Sequence, residues 1–177
     1  VEALSVMAKE YGAVVIVDMA QTAGLIPCNI GLETIDFAVF AGHKTLYGPT
    51  GISGFVMNPD VTLKPVFFGG TGYDSANQDM PSSLPERFEM GTMNSSGIAG
   101  LNAALRWIDQ TGIEVIAKKE EENRNRLIDL LGRYDFVQLV GAREDRQYVG
   151  VVSTLIDGIS SDSCGSLFDR LGIAVRT

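Results

Sequence analysis

Residues 13–18, AVVIVD, run apolar without alternation and then stop on an aspartate. A strand with one wet face alternates apolar and polar residues, whereas a continuous apolar run reads as a strand covered on both faces, the usual condition of parallel sheets flanked by helices. The stretch before it, VEALSVMAKEYG, places Leu4, Met7, Ala8 and Tyr11 at helical spacing, and Gly12 follows as a natural stop. Helix then buried strand predicts an α/β sheet. TIDFAVF is a second such strand and GISGFVMN a third. The connection between these two is too short for a helical crossover, so they are expected to pair antiparallel.

From Lys64 to Asn94 the pattern becomes loop-like, rich in glycine, proline and polar residues, and a loop of that length in a compact domain is usually functional. Beyond it, GIAGLNAALRWIDQTG sets Ile98, Leu101, Leu105 and Ile108 on one helical face. IEVIAKKEEENRNRLIDLLGRY continues as a charged helix with Leu127, Leu130 and Leu131 inward. The remainder reads as strands FVQLV and YVGVVSTLI, a helix SDSCGSLFDRLG with Leu167 and Leu171 inward, and a last strand IAVRT. The expected boundary falls near residue 108, giving an α/β unit over 1–108 and a smaller α+β unit over 109–177. Val1 already lies inside an amphipathic pattern and IAVRT has nothing after it, so a fragment of a longer polypeptide is expected.

Composition narrows the function. The net charge of −8 arises from 22 acidic against 14 basic residues, which disfavours a nucleic-acid surface, since that needs clustered Lys and Arg. One histidine and two distant cysteines, Cys28 and Cys164, form no metal-ligand pattern, and a reducing compartment fits them best. No stretch approaches a transmembrane span and no signal peptide opens the chain, so a cytoplasmic location with no membrane partner is expected.

Chemistry concentrates where strands end. Asp18 closes the first strand, Gln21 follows it, and His43 and Lys44 lie in FAGHKTLYGPTG just after the second. In an open α/β sheet, ligands bind beyond the carboxyl ends of strands, so both segments can face one crevice. A carboxylate and an amine there suit pyridoxal 5'-phosphate, which needs a lysine for its aldehyde and an acid for its ring nitrogen. Gln21 can reach the phenolic oxygen, and His43 with backbone N–H groups can reach the phosphate. Plainer readings stand beside these: Asp18 can cap a turn, Lys44 can extend into solvent, and His43 alone is more often structural. Nucleotide binding through the Lys-Thr pair fails, because a Walker loop needs glycine directly before its lysine and His43 stands there.

Together, VDMAQTAG, AGHKTLYGPTGISG, FGGTGYDS, LPERFEMGTMN and GIAVRT resemble, in order, signature segments of the class V aminotransferase-like enzymes, in the cysteine desulfurase and selenocysteine lyase branch. The resemblance implies fold type I, with a large α/β cofactor domain and a small C-terminal domain, and a homodimer with sites at its interface. It implies that Lys44 is the lysine joined to the cofactor, Asp18 the partner of the pyridine nitrogen, Gln21 the contact to the phenolic oxygen and His43 a neighbour of the phosphate. Gly70 and Thr71 fall where the family supplies phosphate contacts across the dimer. Arg87, Glu89, Gly91, Thr92 and Asn94 match a segment near interface and active site, and Arg176 lies beside the substrate region. The implied activity is removal of sulfur from cysteine, or selenium from selenocysteine, with a sulfur-acceptor protein as partner. Transamination or epimerisation of another amino acid is the alternative, and a non-catalytic folded remnant a remoter one.

Three departures qualify the resemblance. Ala41 stands where the family often has Ser or Thr, and a lost charge-assisted hydrogen bond costs on the order of 1.5–3 kcal/mol. The family also begins well before Val1, and its desulfurases carry the sulfur-accepting cysteine on a loop just after the VRT segment. The 177 residues by themselves are therefore expected to be inactive. Cys164, beside Asp162 at a helix start, and Cys28 are expected to be structural.

Overall fold

The computed structural model describes residues 1–31, 33–72, 76–141 and 148–177. The chain divides into two compact units, Val1–Ile113 and Glu114–Thr177. The first holds helix α1 (Glu2–Glu10), strands β1 (Ile16–Asp18), β2 (Phe37–Ala41) and β3 (Ser53–Met57), a 3-10 turn at Glu86–Phe88, and helix α2 (Ser95–Thr111). The second is built from most of helix α3 (Ile113–Leu131), strands β4 (Val137–Val140) and β5 (Ser153–Ile156), and helix α4 (Ser161–Arg170).

In the first unit β2 is central. It pairs parallel with β1, Asp18 opposite Val39, and antiparallel with β3, Val39 opposite Phe55, as the short connection requires. The Met19 N–H donates to Val39 O, carrying the parallel ladder one residue past β1. Ile35, Phe37, Ala38, Leu25, Leu46 and Ile108 are buried around this centre. The first strand departs from expectation. Only three residues of AVVIVD enter the ladder, and Ile16 is 65% exposed. β1 is an edge strand of this sheet, with β2 on one side only, and its burial runs exposed, half-buried, exposed.

The helices pack with a phase the apolar spacing misses. In α1, Leu4, Met7 and Tyr11 are exposed, while Ser5 is buried and Ala8 and Lys9 are half-buried. Polar bonds set this rotation: the Ser5 hydroxyl shares a 2.7 Å hydrogen bond with the Thr34 hydroxyl, and Lys9 Nζ reaches both carboxylate oxygens of Asp36 at 2.8 and 2.6 Å. In α2 the packed stripe is Gly97, Leu101, Ala104 and Ile108, with Ile98 and Leu105 exposed. Gly112, at φ +89°, separates α2 from α3.

In the second unit, β4 pairs antiparallel with β5, Val137 opposite Ile156. The inward stripe of α3 runs through Ile116, Glu120, Arg124 and Ile128, not through Leu127 and Leu130. Arg124 is held there by stacking its guanidinium 4.2 Å from the Tyr148 ring centre. In α4, Cys164 and Phe168 are half-buried while Leu167 and Leu171 are exposed. That face lines a cavity of about 530 Å3 with β5. The expected last strand, IAVRT, is absent. The Ile173 N–H is spent on Phe168 O at the end of α4, and the only ladder partner of β5 among the described residues is β4. Likewise only Ser153–Ile156 of YVGVVSTLI is strand; residues 142–147 lie outside the described ones. No helix among the described residues is long and apolar enough to cross a membrane.

Candidate active site

Two parallel strands in register end at the same edge of their sheet, and the segments leaving β1 and β2 there carry Asp18, Gln21, His43 and Lys44. Asp18 begins a tight turn: its Oδ1 accepts from the Ala20 N–H at 2.8 Å. The turn-capping reading of Asp18 therefore holds for one carboxylate oxygen. The other accepts no hydrogen bond among the described residues. The turn continues through Thr22 N–H and Ala23 N–H, both donating to Met19 O, and leaves Gln21 exposed.

The Lys44 loop is rigid without being regular. The Gly42 N–H donates to Ile52 O at 2.9 Å, the Gly48 N–H to Gly42 O at 2.7 Å, and the Tyr47 N–H to Lys44 O at 3.0 Å. These bonds close a ring from the end of β2 back to itself, with Leu46 buried beneath and the His43 and Lys44 side chains exposed above. A side chain at Gly48 would sit 2.8 Å from Gly42 O, so the ring tolerates none there. Tyr47 adopts φ +56°, a left-handed conformation that costs a bulky residue about 1–3 kcal/mol. Its ring meets Trp107 of α2 edge to face, centroids 5.3 Å apart, a contact contributing about 0.5–1.5 kcal/mol.

The two segments touch. A Cβ on Gly24 would fall 3.0 Å from Thr45 O and 3.1 Å from Leu46 Cδ2, so the Asp18 turn lies against the Lys44 loop with no room for a side chain between them. Next to Lys44, the Thr45 hydroxyl is buried without a hydrogen-bond partner among the described residues.

The other expected site residues lie apart from this edge or have other contacts. Gly70 is exposed and its carbonyl accepts from the Gly91 N–H at 2.7 Å, which ties the Gly70–Thr71 stretch to the segment holding Arg87, Glu89, Gly91 and Thr92. Asn94 is the N-cap of α2: its Oδ1 accepts from the Gly97 N–H at 2.9 Å and its Nδ2 donates to Gly51 O at 3.0 Å. Arg176 belongs to the second unit, where with Cys164 and Phe168 it lines the 530 Å3 cavity. Lys44 lines neither that cavity nor the groove of about 720 Å3 between β3 and residues 84–94.

Sequence reasoning missed Tyr47, Trp107 and the pair of half-buried Lys9 with buried Asp36. The Asp36 carboxyl is held below its ordinary value by its hydrogen bonds from Lys9 and then from the Val15 N–H, which outweigh the opposing effect of burial. In α2 the sequence signal was the apolar spacing of Ile98, Leu101, Leu105 and Ile108, of which only Leu101 and Ile108 lie on the packed stripe; the small residues Gly97, Gly100 and Ala104 complete it.

Comparison with known proteins gives the family. The aminotransferase class-V family matches residues 1–177. A probable cysteine desulfurase of Pyrococcus abyssi is 35% identical over the whole chain but only 45% of its own length, and one from Mycobacterium leprae is 31% identical over 99% of the chain and 43% of its own length. Among solved structures, an apo cysteine desulfurase from Thermococcus onnurineus matches with a TM-score of 0.81 at 33% identity, covering 99% of this chain and 45% of that one. A cysteine desulfurase of Escherichia coli matches with a TM-score of 0.81 at 28% identity, covering 97% and 43%. The chain spans less than half the length of these relatives. With a match along its full length, and with the fold of the desulfurase structures, the chain belongs to the aminotransferase class-V family.

Proposed function

We propose that this chain is the lysine-bearing part of a pyridoxal-phosphate-dependent cysteine desulfurase, with residues 1–108 in the large cofactor domain and 109–177 in the small C-terminal one. The observation that carries the reading is the in-register parallel pairing of β1 with β2, which delivers a carboxylate and a primary amine to one sheet edge. The residues fit the cofactor. Lys44 is exposed on a hydrogen-bonded ring and able to bond an aldehyde, and Asp18 keeps one oxygen unclaimed by donors among the described residues, available to a pyridinium nitrogen.

When bound, the cofactor supplies an electron sink that weakens bonds at the α and β carbons of an amino acid. With the cofactor in place, Lys44 would be the group that takes and returns the proton at the substrate's α carbon. Asp18 would hold the ring nitrogen protonated, Gln21 would orient the phenolic oxygen, and His43, with Gly70 and Thr71 of a second subunit, would bind the phosphate. The family resemblance alone assigns Asn94 and Arg176 to the substrate region. In the net reaction the C–S bond of cysteine breaks, its sulfur passes to an acceptor thiol as a persulfide, and the carbon skeleton leaves as alanine. That the relatives are named cysteine desulfurases favours desulfuration over transamination.

The full-length polypeptide that contains this chain, supplied with cysteine and a thiol reductant, is expected to release alanine and sulfide in equal amounts, and Lys44→Ala to release neither. Formation of a keto acid without sulfide would identify an aminotransferase instead.

A further inference from the structure

Helix α2 has no residue in the proposed chemistry, yet one side of it follows the Lys44 loop along its whole length. At the helix start, Asn94 Nδ2 donates to Gly51 O. Nearly two turns on, Gly100 faces Pro49 so closely that a Cβ there would lie 2.8 Å from Pro49 Cγ and 2.9 Å from Cδ. Leu101 Cδ1 comes within 3.0 Å of where a Cβ on Gly48 would stand and 3.3 Å of one on Gly42. Near the helix end, the Trp107 ring meets Tyr47. Residues 94, 100, 101 and 107 thus engage Gly51, Pro49, Gly48 and Tyr47, so the loop runs antiparallel to the helix.

We propose that α2 is the positioning element for Lys44, acting through Gly100 on Pro49 and through Trp107 on Tyr47; this rests on the reading of Lys44 as the cofactor lysine. The helix contact and the Gly48 to Gly42 bond fix both ends of the Lys44–Gly48 turn. Tyr47 is held at its unusual φ by these contacts, and Lys44, whose carbonyl accepts from the Tyr47 N–H, is fixed in turn. A Cβ at position 100 must move Pro49, and with it the ring that carries the lysine, because proline cannot rotate its side chain away.

The test compares Gly100→Ala, Gly100→Ala with Pro49→Ala, Trp107→Leu, Trp107→Phe and Lys44→Ala in protein reconstituted with pyridoxal phosphate. Three quantities are read: cofactor affinity, the pH midpoint of the visible band, and, without cofactor, the rate at which an amine reagent modifies Lys44. Gly100→Ala and Trp107→Leu are expected to weaken affinity about 10-fold, shift the pH midpoint and change the Lys44 modification rate. Pro49→Ala should recover part of the Gly100→Ala loss, and Trp107→Phe should stay close to the parent. Trp107 is 48% exposed, so its variants keep the test open even where Gly100→Ala fails to fold. Variants that lower thermal stability but leave affinity, pH midpoint and modification rate at parental values would overturn the positioning role alone. A visible band retained in Lys44→Ala would overturn the cofactor-lysine reading and the positioning role with it.

Discussion

Lys9 Nζ stands 2.6 Å from Asp36 Oδ2 and 2.8 Å from Oδ1, joining α1 to the beginning of β2 at the end of the strand away from Lys44. The same carboxylate accepts from the Val15 N–H at 2.7 Å, and the Asp36 carbonyl accepts from the Asn58 N–H at 2.9 Å. One residue therefore fixes the helix and all three strands whose other ends present the site. Lys9→Met leaves this buried carboxylate without its charged donor and is expected to cost about 1.5–3 kcal/mol, measured by denaturant unfolding.

The pair also sets an acid response. Because the folded Asp36 is held below the ordinary value of 3.8, its contribution to stability is complete above that value and is lost as pH falls through the lower folded value. Unfolding free energy followed from pH 6 downward should decline through that acid window in the parent. In Lys9→Met the decline should be smaller and be complete at a higher pH, since the largest cause of the lowering is gone and the folded value lies closer to the unfolded one.

Gly48 closes the ring around Lys44, and its missing Cβ makes room for Gly42 O and Leu101 Cδ1. Gly48→Ala is expected to destabilise by roughly 1–3 kcal/mol through overpacking and to weaken cofactor binding more than it weakens folding. Calorimetric unfolding alongside cofactor titration separates the two; equal loss in both would show that the ring serves the fold alone.

Asn94 caps α2 and ties it to Gly51. Asn94→Ala should cost about 0.5–2 kcal/mol, whereas Asn94→Asp, which keeps the cap acceptor but cannot donate to Gly51 O, should retain the helix and loosen the loop. Hydrogen exchange at the Gly42 and Gly48 amides, which donate to Ile52 O and Gly42 O, distinguishes them.

How much of this could be read from the residues differs by element. The three strands of the first unit were legible because apolar runs bounded by glycine and aspartate leave few alternatives, and the antiparallel pairing of β2 with β3 followed from the length of the connection alone. The rotations of α1 and α3 were not, because long-range polar partners decide them: Ser5 with Thr34, Lys9 with Asp36, Arg124 with Tyr148. Spacing of leucines carries no trace of a carboxylate 27 residues away. IAVRT shows the opposite error, since its strand-like composition came without a partner edge. At the site, residue types and strand ends pointed to Asp18 and Lys44, while Tyr47 and Trp107 escaped notice because their importance lies in a contact between residues 60 apart in sequence.

The most direct test of the central claim is to reconstitute the protein with pyridoxal phosphate, reduce it with borohydride and map the labelled peptide. The account predicts a single pyridoxyl label on Lys44, lost in Lys44→Ala and weakened in Asp18→Asn. Label spread over Lys9, Lys64, Lys118 and Lys119, or undiminished in Lys44→Ala, would contradict it.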